Sequence, residues 1–145
     1  MKAVIQRVLC AELKVDGKII SETGKGYVIF LGVKKGDTKE NCNYFAKKIP
    51  SLRIFEDENE KINKSIIDVG GEILLVSQFT LYANASHGNR PDFLDAETPD
   101  KAEKLYLYLA EELKKTGIPV KLGVFGADMK ISQVNDGPFT VIIEK

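Results

Sequence analysis

The distribution of apolar residues along the chain alternates between two periods and marks out a β-rich protein carrying two helices. Lys2 to Leu9 is almost continuously apolar, with Gln6 and Arg7 set side by side among hydrophobic neighbours. That pattern predicts a strand covered on both faces with one polar group on each. Glu12–Val15 and Lys18–Ser21 flank Asp16-Gly17, a strong hairpin signal. Tyr27–Val33 reads as a central strand. Asp37 is the predicted cap of a first helix, with Glu40 as capping-box partner. Cys42, Phe45, Ala46 and Ile49 follow on one face, and Pro50 stops the helix. A second helix starts at Thr98-Pro99, a cap followed by proline at the first helical position. Ala102, Leu105, Tyr106, Leu109, Ala110 and Leu113 form its stripe, with Gly117 and Pro119 beyond its end. Short strands are predicted at Leu52–Phe55, Ile73–Phe79, Val120–Val124, Ile131–Asn135 and Phe139–Ile143. The expected fold is therefore mixed α and β and β-rich: layered mixed or antiparallel sheets of about eight strands, with two helices covering one side.

At 145 residues the chain fits one domain, residues 1–145. No apolar run approaches the roughly 20 residues of a membrane span, and the N-terminal stretch reads as a strand rather than a signal peptide. Cys10 and Cys42 both fall on apolar positions, so two buried free thiols in a reducing compartment are expected, with the cytoplasm as the default. Lys plus Arg equals Asp plus Glu, 21 each. That balance argues against a protein that coats nucleic acid through a broad basic face, though not against one that grips an RNA end locally.

The chemistry narrows mostly by what is missing. His87 is the one histidine, and it lies in the polar stretch between Leu81 and Thr98. A clustered His/Cys metal site is not available, and no cofactor motif occurs. Two segments stand out instead. Ser77-Gln78-Phe79-Thr80-Leu81 places hydrogen-bonding side chains at the end of the buried run Ile73–Val76, where a strand fraying into a loop would also account for them. Asn135-Asp136-Gly137-Pro138-Phe139-Thr140 reads either as a turn between two strands or as a ligand-facing backbone segment.

In these two segments the chain resembles the D-aminoacyl-tRNA deacylase family, whose signatures are SQFTL and NxGPxT. Both are complete here, at Ser77–Leu81 and Asn135–Thr140. Supporting matches run along the whole chain: IQRV at Ile5–Val8, LGV at Leu31–Val33, RIF at Arg53–Phe55, NRPDF at Asn89–Phe93 and ADM at Ala127–Met129.

The resemblance implies an editing hydrolase that cleaves D-amino acids, and mischarged glycine as well, from the 3′ end of tRNA. It implies a homodimer with active sites at the subunit interface, and no cofactor, metal, membrane or DNA partner. Ser77, Gln78, Phe79 and Thr80 are the implied catalytic segment, with the Phe79 amide near the scissile ester. A cis Gly137-Pro138 from the other subunit would receive the amino group of the D-amino acid. Arg7 would hold that motif in place, and Asn135 and Met129 complete the implied substrate-binding set. Chemically, an aminoacyl ester is already activated, so backbone N–H donors and a ribose 2′-hydroxyl can suffice. The alternatives are Thr80 as an acyl-enzyme nucleophile and a non-catalytic RNA-binding dimer.

Overall fold

The computed structural model describes residues 1–145. Eight strands and two helices follow one another as β1 (Lys2–Val15), β2 (Lys18–Thr23), β3 (Gly26–Gly32), α1 (Lys39–Lys48), β4 (Arg53–Glu56), β5 (Ile62–Ser65), β6 (Glu72–Ser77), α2 (Pro99–Lys114), β7 (Val120–Leu122) and β8 (Met129–Glu144). A 3₁₀ turn, Phe79–Tyr82, follows β6.

The organising element is β1. Its first half pairs antiparallel with β3 and its second half with β2, while β8 runs antiparallel along nearly its whole length. β3 continues through parallel pairings to β6 and β7, and β4 and β5 form a separate two-stranded sheet. The six-stranded sheet curls so that the Ser21 hydroxyl of β2 donates to the Leu122 carbonyl of β7 at 2.7 Å.

Two cores lie on opposite faces of this sheet. α1 and α2 bury their stripes, including Phe45, Tyr106 and Leu109, against Ala3, Ile5, Tyr27, Ile29 and Leu75 on one face. On the other face Val8, Ala11, Leu13, Val28, Leu74 and Val76 close a smaller core inside the curl. Gln6 and Arg7 fall on opposite faces, as alternation demands: Gln6 pairs with Val28 of the small core and Arg7 with Tyr27 of the large one.

Three local expectations are corrected. Cys10 is exposed, and only Cys42 is buried. The β1–β8 register shifts between Val8 and Cys10, and such a bulge changes which face each following side chain occupies. Asp37 does not cap α1; Thr38 does, its N–H donating to Asn41 Oδ1 at 2.9 Å. The Asp37 carboxylate is buried instead, accepting from the Met1 amino group at 2.7 Å and from the Lys34 N–H at 2.6 Å. Finally, Asn135–Thr140 is not a turn between strands. It lies within the continuous β8, with its irregularity absorbed by a register shift opposite Gln6–Val8.

Candidate active site

The Ser77–Leu81 segment leaves the sheet where β6 ends beside Leu31 of β3. Gln78 N–H still donates to Leu31 O at 2.8 Å, and the chain then tightens into the 3₁₀ turn, with Leu81 N–H bonding Gln78 O at 3.3 Å. The turn packs over Gly32, where an added Cβ would meet Leu81 Cβ and Tyr82 Cε2 at 3.1 Å and Gln78 O at 3.2 Å. Glycine at that position lets the turn lie close against the sheet. The Phe79 N–H, first in the turn, takes no backbone acceptor, as the leading N–H groups of a helical turn do not.

Ser77, Gln78 and Phe79 line a cavity of about 580 Å³ together with Met129, Ile131, Phe93, Phe125, Ala96 and Glu97. The wall is largely apolar. Phe79 and Phe93 meet edge to face with centroids 5.0 Å apart, and Phe79 remains 54% exposed. A volume of this size is within the usual range of small-molecule sites. Two acidic residues, Glu97 and Asp128, stand in the wall, Asp128 paired with Lys130 at 2.9 Å. Glu97 is the more strongly held. Its carboxyl is held down to about 2 by the hydrogen bond from Lys101 and then by the Thr98 N–H, so it is anionic at neutral pH.

Thr80 lies just outside this cavity, beside a shallow hollow formed with Val4, Gln6, Phe30, Gln78 and Leu81. The Gln78 side-chain amide donates to the Thr80 hydroxyl, the one hydrogen-bond partner that hydroxyl has. No carboxylate, imidazole or amine touches it.

The middle of the second signature, Asp136–Phe139, lies against Arg7 on the large-core face of β1. Arg7, 5% exposed, donates from Nη1 to Ile54 O at 2.7 Å and from Nε to Asp136 O at 3.1 Å, with Asp136 Oδ2 also at 3.1 Å. Its guanidinium lies over the Phe139 ring at 5.2 Å and the Phe55 ring at 6.0 Å. Beneath it, burial pushes the Tyr27 phenol up, partly offset by the Arg7 charge. The Gly137-Pro138 bond is cis, and Gly137 has φ +120°. A Cβ there would stand 3.0 Å from Phe139 N and 3.3 Å from Arg7 Nη2. Both Gly137 and Pro138 are exposed.

The nine residues singled out from sequence thus form two groups within one chain. Ser77, Gln78, Phe79, Thr80 and Met129 gather around the cavity and the adjacent hollow. Arg7, Gly137 and Pro138 gather apart from them and line neither space. Asn135 bridges towards the first group: Gln133 Nε2 donates to Asn135 Oδ1 and to Gln6 Oε1, each at 2.7 Å. Sequence reasoning missed Gln133, Glu97, Phe93 and Phe125 as members of the site. The two phenylalanines did carry a signal, since Phe93 ends the NRPDF match and Phe125 stands two residues before the ADM match.

Residues 4–144 match the family model described as D-Tyr-tRNA(Tyr) deacylase. The chain is 49% identical over 144 residues to a D-aminoacyl-tRNA deacylase of Clostridium botulinum, covering 99% of this chain and 97% of that one. It is 51% identical to the corresponding deacylase of Fusobacterium nucleatum, covering 99% and 95%. Among solved structures, the c-Myc DNA Unwinding Element Binding Protein superposes with TM-score 0.94 at 44% identity, covering 100% of this chain and 99% of that one. A structure described as a probable eukaryotic D-amino acid tRNA deacylase superposes at TM-score 0.80 and 17% identity, over 98% of this chain and 97% of that one, a likeness of fold alone.

Proposed function

The chain belongs to the D-Tyr-tRNA(Tyr) deacylase family and hydrolyses the ester bond of D-aminoacyl-tRNA; on that premise we propose that its active site is composite, one protomer supplying the cavity and a second the Gly137-Pro138 motif. The observation that carries this reading is the separation, within one chain, of the cavity-lining Ser77–Phe79 from the cluster of Arg7, Gly137 and Pro138. The cavity lined by Ser77, Gln78 and Phe79 contains no part of Gly137-Pro138 from the same chain. A second copy brings the two together.

The surface of the protomer supports an isologous dimer. β8 pairs only with β1, leaving the other edge of a 16-residue strand free, and unprotected edges of that length invite pairing. Ile142, 65% exposed, shares a sheet face with Val4, its partner across the β1–β8 ladder. Ile142→Lys places a charge in that face and is expected to convert a dimer to monomer, with deacylation lost in parallel. Light scattering and activity on the same sample check this; an active monomer would contradict it.

In this site the D-aminoacyl-adenosine end of the tRNA occupies the cavity between Phe79, Phe93 and Phe125, with Met129 on its wall. The carbonyls of the partner's Asn135–Pro138 segment receive the α-amino group, and a rigid backbone there leaves no space for an L side chain. Arg7 fixes that segment from behind. The free Phe79 N–H stabilises the oxyanion, a role in which one donor is worth about 2.7–4 kcal/mol. The substrate's own 2′-hydroxyl assists proton transfer, and the reaction takes place in the cytoplasm, where charged tRNA is used. Glycine, lacking a side chain, passes the same gate.

Thr80 positions substrate and is not a nucleophile, because its hydroxyl touches only the Gln78 amide and no base. Thr80→Ala is therefore expected to cost one hydrogen bond, about tenfold at most in turnover. Single-turnover deacylation of D-tyrosyl-tRNA measures it, and a loss of several thousandfold with intact binding would install the acyl-enzyme route. In the same assay a terminal 2′-deoxyadenosine should stop hydrolysis.

A further inference from the structure

The charge balance of the whole chain conceals an uneven distribution beside the cavity. β1 begins, and β3, β6 and β8 end, at one end of the sheet, the end from which the Phe79–Tyr82 turn departs. Lys2, Lys34, Lys35, Lys39 and Lys145 all belong to this end. Lys34 follows Val33 and bridges to Ala96, both cavity-lining residues, and Lys35 N–H bonds Asp95 O at 2.9 Å. Lys145 is tied beside Met1 and α1 through its N–H to Met1 O at 3.0 Å and through its carbonyl, which accepts from Asn41 Nδ2 at 3.1 Å.

Aromatic rings are interleaved with these cations. Lys2 and Lys34 stand 5.1 and 6.0 Å from the centre of the Tyr82 ring, Lys145 lies 5.6 Å from Tyr44, and Lys39 lies 4.8 Å from Tyr108. The Tyr82 side chain is buried, yet its hydroxyl has no hydrogen-bond partner. Nearby acids offset part of the charge. Glu144 pairs with Lys2 at 3.5 Å and Asp95 with Lys34 at 3.7 Å, while Glu40 accepts from the Thr38 hydroxyl. Asp37 is spent inward. Lys35, Lys39 and Lys145 are exposed and form no ion pair.

We propose that this end of the sheet is the seat of the tRNA acceptor stem, its phosphates lying along Lys34, Lys35, Lys39 and Lys145 as the strand leaves the cavity past Tyr82. The inference rests on the site reading above and extends it from the aminoacyl end to the RNA. Charge complementarity and continuity with the cavity rim select a polyanion. RNA duplexes are held largely through phosphates and 2′-hydroxyls, without need of a groove-reading helix. Such contacts release counterions, so affinity falls with salt in proportion to the phosphates held. A local patch of this kind is compatible with zero net charge.

The test uses the full-length protein with Lys34, Lys35, Lys39 and Lys145 changed together to Gln, against Lys47→Gln/Lys48→Gln, a control that removes two lysine charges at the far end of α1. Two quantities are read: the ratio of kcat/KM for D-tyrosyl-tRNA to that for 3′-O-D-tyrosyl-adenosine, and the salt slope of binding to uncharged tRNA. The fourfold variant should lower the ratio about tenfold or more, at about twofold to fivefold per exposed contact, and reduce the salt slope by about one per lysine that holds a phosphate. The control should move neither. A ratio within twofold of the unsubstituted protein, or an equal change in the control, would overturn the proposal. Loss of salt slope in a protein whose unsubstituted form cleaved neither ester would uphold the surface and overturn the site reading instead.

Discussion

In Arg7→Ala we expect deacylation of D-tyrosyl-tRNA to fall below detection and unfolding free energy to drop by about 3–5 kcal/mol, the cost of breaking a buried, hydrogen-bonded charge pair. Arg7 is 5% exposed and holds three things at once: the Ile54 carbonyl, the Asp136 carbonyl and the Asp136 carboxylate. Its removal leaves the Ile54 carbonyl without its side-chain donor and empties the space between Phe55 and Phe139. Denaturant midpoints give the stability loss. Arg7→Met separates packing from positioning, because an apolar chain of similar length refills the space between Phe55 and Phe139 while the Ile54 carbonyl still lacks its donor, so its stability loss should be smaller than that of Arg7→Ala. A stable Arg7→Met protein that no longer discriminates D from L esters would show that the guanidinium orients the Asn135–Thr140 segment. An Arg7→Ala midpoint equal to that of the unsubstituted protein would contradict the account.

The second large effect is expected at Gly137. Its φ of +120° is a conformation L side chains rarely adopt, and a Cβ would press on Phe139 N at 3.0 Å and Arg7 Nη2 at 3.3 Å. Holding alanine there costs of order 1–3 kcal/mol, and the segment relieves the strain by shifting. A carbonyl displaced by about 1 Å from an amino group it must receive can cost a hundredfold in rate. Gly137→Ala should therefore fold with a modestly lower midpoint and lose about a hundredfold in kcat/KM for D-tyrosyl-tRNA, with the ratio of D to L turnover reduced. Matched D- and L-tyrosyl-tRNA assays read both. Unchanged discrimination in the folded variant would remove the backbone segment from the chiral gate.

How far the sequence disclosed this arrangement depends on whether each signal is local. α2 was legible because its cap, its first-turn proline, its stripe and its closing glycine all lie within about five turns of chain. The assignment of Gln6 and Arg7 to opposite faces was legible because alternation is a property of the strand itself. Between the two readings of Asn135–Thr140, a turn or a ligand-facing segment, local sequence does not decide, because its pairing partner, β1, lies about 130 residues earlier. Cys10 was misplaced for the same reason, since a bulge is set by the neighbouring strand. β5, Ile62-Asn63-Lys64-Ser65, carries almost no apolar signal and exists through its pairing with β4. Of the site, the motifs marked two segments, but that Ser77–Phe79 line the cavity while Gly137 and Pro138 gather with Arg7 away from it is a tertiary fact. Glu97 and Gln133 owe their places to that packing, so no local pattern marked them.

The central claim is that each active site draws on two chains, and a mixing experiment tests it most directly. Met129→Trp fills the cavity and Gly137→Ala disables the inserted segment, so each variant alone should have little activity on D-tyrosyl-tRNA. After the two are unfolded and refolded together, half of the dimers are mixed and each mixed dimer has one intact site, so activity should recover to about a quarter of the unsubstituted rate. No recovery above the average of the two separate variants, with mixed dimers demonstrably formed, would contradict the composite site.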